Sequence, residues 1–156
     1  MKLLNKKYII LELIPTHSNA KVGTIAQIEA LKLDGLKLID RFDYRLNEKL
    51  INNPDLKELI SYDKDNFNYV DSGDVIMKEF KKWVGELPLL VIDNYYTLDY
   101  LSDIKNKKEP VFKYLDLELT DDVFDKLMKK YNLEPSNHLV DLLYEGIINE
   151  SNNKDL

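Results

Sequence analysis

Apolar and polar positions along the chain fall into blocks of two periodicities. Residues 7–14 form an almost unbroken apolar run, Lys7-Tyr8-Ile9-Ile10-Leu11-Glu12-Leu13-Ile14. A run this short and this apolar predicts a central strand covered on both faces, stopped by Pro15. Residues 22–33 predict a second strand, ending at Asp34-Gly35. Asp-Gly between extended segments favours a hairpin turn, so residues 36–46 return as a third strand. Residues 47–71 are polar and irregular, with Pro54 ahead of a short helical stretch at 55–60. The spacing then changes. Ile76, Phe80, Trp83 and Val84 share one face of a helix over 73–85, with Ser72 as its N-cap and Gly85 and Pro88 at its end. Leu89 to Ile92 predict a fourth strand, parallel to its neighbour because a helix intervenes. Leu98, Leu101 and Ile104 mark a helix over 95–105, and Val111 to Leu115 a fifth strand. Thr120 opens a helix carrying Phe124, Leu127, Met128 and Tyr131. Ser136 opens the last one, with Val140, Leu143 and Ile147 in a stripe. The order β-β-β-α-β-α-β-α-α predicts an α/β fold, a mixed five-stranded sheet flanked by helices. One domain over 1–149 is expected, followed by a polar tail at 150–156.

Composition narrows the classes of function. A chain of 156 residues builds one core. With 44% hydrophobic and 32% charged residues it is a folded chain rather than a disordered one. The absence of cysteine excludes disulfides, thiolate metal sites and cysteine nucleophiles. Lys2, Lys6 and Lys7 precede the first apolar run, as they would in a signal peptide. That run is too short, Glu12 interrupts it, and no small-residue cleavage site follows. No stretch reaches the length of a bilayer span, so no membrane is expected and the expected location is cytoplasmic. A net charge of −6 opposes a tight nonspecific grip on nucleic acid. The lysine clusters at Lys105, Lys107 and Lys108, and at Lys126, Lys129 and Lys130, are read as a solvated loop and a solvated helix face.

Four stretches in order carry a resemblance that covers residues 7–149. They are Tyr8-Ile9-Ile10-Leu11-Glu12-Leu13-Ile14, Ile25-Ala26-Gln27-Ile28-Glu29-Ala30-Leu31 before Asp34-Gly35, Leu90-Val91-Ile92-Asp93-Asn94, and Asn137-His138 ahead of a terminal helix. Together they resemble the DnaQ-like 3′–5′ exonucleases of the DEDD superfamily, in the histidine-using branch, with a ribonuclease-H-like fold. The resemblance implies metal-dependent phosphodiester hydrolysis. Two divalent ions about 4 Å apart would activate water and stabilise the leaving oxygen. Hard ions such as magnesium require converging carboxylates, and a histidine takes the proton.

Set onto this sequence, most of that machinery is replaced. The first aspartate of the family's Asp-x-Glu pair falls on Glu12 and its glutamate on Ile14, on one face of a strand. Asp93 stands where the family has the histidine of its His-Asn pair. The second aspartate falls on Leu98, beside Asp99, and the last on Leu143, two positions after Asp141. One helical step turns a side chain by about 100°. Leu98 is therefore expected to pack inward with Leu101 while Asp99 faces water, and Asp141 is expected on a solvated face. His138 falls on the family's histidine, with an ordinary capping or surface role as its other reading. Glu12 reads equally as a buried acid satisfied by hydrogen bonds or as a retained ligand. Tyr95, Tyr96 and Tyr100 suit base stacking or plain packing, with packing favoured.

The leading expectation is a catalytically inactive exonuclease-fold module that binds or regulates a protein partner or, more weakly, a nucleic acid. It keeps Glu12 and His138 as remnants and needs no cofactor. The alternative is a divergent 3′–5′ exonuclease with Glu12, Asp99 and Asp141 as magnesium or manganese ligands and His138 as base. A subunit that completes a larger assembly is the third reading.

Overall fold

The computed structural model describes residues 6–62, 67–91, 95–102 and 112–114, together with Lys129, Val140, Asp141, Tyr144, Glu145 and Ile148. The chain opens with three long strands, β1 (Lys7–Pro15), β2 (Ile25–Asp34) and β3 (Lys37–Leu46). They form an antiparallel meander, as the Asp34-Gly35 turn predicts. Gly35 has φ 60°, which a side chain would strain. A 3-10 turn at Glu48–Leu50 and the helix α1 (Pro54–Ile60) follow. Pro54 opens α1, and the Asn53 side chain accepts from the Asp55 N–H as its cap. Next come β4 (Asn68–Val70), α2 (Gly73–Val84), β5 (Leu89–Val91) and α3 (Tyr95–Leu101).

The sheet runs β4-β3-β2-β1-β5. β5 lies parallel to β1, the arrangement that the α2 crossover favours. This is an α/β fold with a mixed five-stranded sheet and flanking helices, compatible with a ribonuclease-H-like architecture. One strand differs from expectation. The fifth described strand is β4, parallel to β3, in a segment whose polarity predicts only irregular chain. Three residues need only one ladder, and neighbouring Phe67 and Tyr69 supply the aromatic contact. The predicted strand at 111–115 is described only at 112–114. There Tyr114 forms a single parallel bridge to Leu89, and the Leu89 N–H donates to the Lys113 carbonyl at 2.8 Å. That bridge lies on the side of β5 away from β1. The helix predicted from Thr120 is described only at Lys129, and the tail 150–156 and the other residues of the lysine clusters lie outside the described residues.

The core is built mainly on one face. α2 lays Ile76, Phe80 and Val84 onto Ile9, Leu11, Leu13, Ile28, Ala30 and Phe42. Its cap is Ser72, whose hydroxyl accepts from the Asp74 N–H. On β2 the ladder skips Ala26, because Ile14 pairs with Gln27 and Pro15 with Ile25. This bulge turns Ile25 to the α2 side and Ala26 toward Ile14, Leu46, Ile51 and Ile60, which form a second small cluster under α1.

Candidate functional site

Strand alternation places Glu12, Gln27, Glu29, Asp43 and Arg45 on the face away from α2. The register aligns them. Glu12 stands opposite Glu29, and Glu29 opposite Asp43, so three carboxylates run in a row across β1, β2 and β3. Glu29 is 3% exposed and Arg45 is fully buried. Charges at such depth require partners.

Two guanidinium groups supply them. Arg45 grips Asp43 with both prongs, Nε to Oδ1 at 3.0 Å and Nη2 to Oδ2 at 2.9 Å. Its Nη1 donates to the Ile60 carbonyl at 2.7 Å and to the Ser61 carbonyl, at the open end of α1. Phe67 covers the guanidinium, 4.1 Å from its ring centroid. Arg41 bridges farther out. Its Nη1 donates to Glu29 at 3.2 Å and its Nη2 to Asp141 at 2.5 Å. Gln27 links Glu29 and Asp43 at 3.4 and 3.3 Å. Asp141 and Tyr144 bring the C-terminal helical residues against this face, the Tyr144 hydroxyl donating to the Leu36 carbonyl at 2.6 Å. Val140 beside them is fully buried.

Burial pushes the Glu29 carboxyl up to about 7, and Asp43 and Asp141 push the same way. Arg41 and Arg45 pull it down, yet two neighbouring carboxylates and a dry environment outweigh them. Arg41 itself is held more firmly protonated through Asp141, against the opposing effect of its burial.

The positions singled out by sequence separate into three groups. Glu12 is half-buried in mid-strand, and Ile14, two residues on, is 6% exposed. Asp141 reaches the charged face through Arg41 and is 40% exposed at its side chain, so its helix surface is less solvated than expected. Asp99 is exposed on α3, as expected. Leu98 corrects the sequence reading. It is 44% exposed, and the inward pair of α3 is Thr97 and Leu101, each 1% exposed and one helical turn apart. Asp93, Asn94, His138 and Leu143 lie outside the described residues. Tyr100 packs rather than stands open, its hydroxyl donating to the His17 carbonyl in the loop after β1.

Sequence reasoning missed Glu29, Asp43, Arg41 and Arg45. The signal was present in Gln27 and Glu29, alternate polar positions in a strand otherwise apolar. Among the described residues no three His, Cys, Asp or Glu side chains converge as a metal site requires. No described helix is long and apolar enough to cross a membrane.

No family model matches the chain. It is similar to the PolC-type DNA polymerase III of Bacillus subtilis (strain 168), 23% identical over 151 residues. That match covers 87% of this chain and 10% of the polymerase. It is similar in the same way to the PolC-type DNA polymerase III of Bacillus cereus (strain ATCC 14579), 21% identical over 148 residues, with the same coverage of both. The chain thus spans about a tenth of the length of these relatives.

Proposed function

We propose that this chain is an exonuclease-fold module that acts by binding, to a protein partner or a nucleic acid, and does not hydrolyse phosphodiesters. One observation carries the reading: on the face where the resemblance puts metal-binding carboxylates, Glu29, Asp43 and Asp141 are engaged by Arg41 and Arg45. A guanidinium satisfies a carboxylate by forked hydrogen bonds and leaves few lone pairs for a hard cation. Ile14 supports the same reading, since an alkyl group holds the place of the second strand carboxylate. The similarity to a tenth of the length of PolC-type DNA polymerases supports the exonuclease-fold part of this reading.

The test is twofold. Calorimetric titration of the full chain with manganese and with magnesium is expected to give no tight site. An exonuclease assay on single-stranded DNA and RNA with either metal is expected to give no product above background. Glu12→Ala and His138→Ala serve as controls. A slow activity that both substitutions abolish would establish the divergent metal-dependent 3′–5′ exonuclease instead, while activity that neither changes belongs to a contaminant.

A further inference from the structure

The tip of the β2–β3 hairpin carries a dipeptide whose own chemistry the fold restrains. Asp34 is exposed, and Gly35 after it has no side chain to shield its nitrogen. In a free chain such a pair reacts with itself. The Gly35 nitrogen bonds to the Asp34 carboxyl carbon, and the N–H proton and the carboxyl OH leave together as water. The product is a cyclic succinimide. Water then adds back at either carbonyl of the ring. Cleavage at the former side-chain carbonyl restores aspartate. Cleavage at the backbone carbonyl leaves isoaspartate, whose main chain runs through the side chain and is longer by the extra carbon. Only solvent is consumed and released.

The folded chain opposes the first of these steps from several directions. Asp34 is the last residue of β2 and pairs on both sides, with Lys7 of β1 and Lys37 of β3. Ring closure needs Asp34 to rotate until the next nitrogen meets its own side chain, and an extended residue held in two ladders is not free to do so. The nucleophile is engaged as well, since the buried Gly35 N–H donates to the Lys6 carbonyl at 2.8 Å. Two phenols then hold the turn. The Tyr8 hydroxyl donates to the Gly35 carbonyl at 3.0 Å, and the Tyr144 hydroxyl to the Leu36 carbonyl at 2.6 Å. Tyr8 is fully buried. That burial, and after it the neighbouring Tyr144, keep its phenol protonated and therefore a donor.

We infer that Asp34-Gly35 is a latent isomerisation site, reactive only when the hairpin tip opens, and that Tyr8 and Tyr144 hold it closed. The rate then follows the small open population and not the exposure of Asp34. The product cannot simply close again. A longer main chain at 34 does not bring the Gly35 N–H to Lys6 and the Leu36 carbonyl to Tyr144 at once. Isoaspartate therefore releases Tyr144 and loosens the Arg41–Asp141 bridge beside it. The site is independent of the binding-module reading, because none of its atoms takes part in binding a partner.

The experiment ages the full chain and a synthetic peptide of residues 30–40 in the same buffer and measures isoaspartate at position 34 by peptide mapping and mass spectrometry. The parent is expected to react about a hundredfold more slowly than the peptide. Tyr144→Phe, which leaves the Leu36 carbonyl without its donor, should speed the reaction about tenfold and quicken amide exchange at Gly35. Tyr8→Phe should act in the same direction, and Tyr144→Phe carries the test if the more deeply buried variant does not fold. Val84→Ala destabilises the core without touching the turn, so it should leave the rate at Asp34 unchanged. In the aged fraction, amide exchange at Asp141 and Tyr144 should be faster than in fresh protein. A parent as reactive as the peptide, a Tyr144→Phe variant no faster than the parent, or a Val84→Ala variant accelerated as much as Tyr144→Phe would each overturn the inference. Unchanged exchange at Asp141 and Tyr144 in the aged fraction would overturn the link to the charged face.

Discussion

The two faces of this sheet were built under different rules. Toward α2 the side chains are mainly aliphatic and aromatic, and Phe42, Phe80, Trp83 and Phe112 meet with ring centroids 5.3–6.2 Å apart. Such a face is held by area and close packing, and no single contact specifies it. The opposite face holds a fully buried arginine, a 3%-exposed glutamate and a forked Arg45–Asp43 pair in the same depth of protein. It is held by hydrogen bonds that must all be made at once. An apolar face tolerates change by repacking. A satisfied ionic face does not, since removal of one member strands the rest.

Arg45→Ala should break that contrast most severely. It leaves Asp43 and two carbonyls without their donor, and loss of one buried ionic partner costs about 3–5 kcal/mol. Denaturant unfolding measures it. The double replacement Arg45→Met with Asp43→Leu should recover much of that loss, because the desolvation cost disappears with both charges. If the single and double variants are equally unstable, the face is not held by its ion pairs. Phe80→Ala on the packed side should cost about 3–5 kcal/mol as well, but by leaving a cavity rather than an unpaired charge. The two are separable, because only the Arg45 loss should be recovered by removing the partner charge as well.

A third expectation concerns Glu29. Its folded pKa, about 7, lies above its ordinary value of 4.5. The folded state therefore binds the proton more tightly than the unfolded chain does. The stability this contributes is complete below about pH 4.5 and is lost as the pH rises toward 7. Glu29→Gln should flatten the fall between those limits, read from unfolding midpoints at several pH values. A parent protein whose stability does not fall across that window would remove Glu29 from the account.

How much of this was legible beforehand differs between the faces. The apolar face was readable, since Ile76, Phe80 and Val84 recur at helical spacing and β1 is an almost unbroken apolar run. The meander was readable from Asp34-Gly35 for the same local reason. The ionic network was not, because its members come from β2, β3, the end of α1 and residue 141, and only the fold brings them together. Periodicity also misled at Leu98. A leucine three residues before Leu101 looks inward, yet Thr97 takes that place. β4 was hidden because three polar-flanked residues carry no period at all.

The smallest effects test these local points. Asp141→Ala should cost at most about 1 kcal/mol, since its pair with Arg41 is part-exposed and screened by water. A loss as large as that of Arg45→Ala would make this bridge the anchor of the C-terminal residues. Leu98→Ala and Asp99→Ala should each fall within about 0.5 kcal/mol of the parent. A large loss for Leu98→Ala would return it to the interior.

Trp83 is the only tryptophan in the chain. Its indole N–H donates to Asp40 at 2.9 Å, and the Lys32 ammonium lies 4.4 Å from its ring centroid. The ring is thus clamped between one charge from β2 and another from β3, while its own backbone belongs to α2. The protein carries a built-in optical probe at the seam of helix and sheet. Its emission colour and anisotropy report whether α2 is seated, so a spectrometer can follow undocking of this one helix without any label.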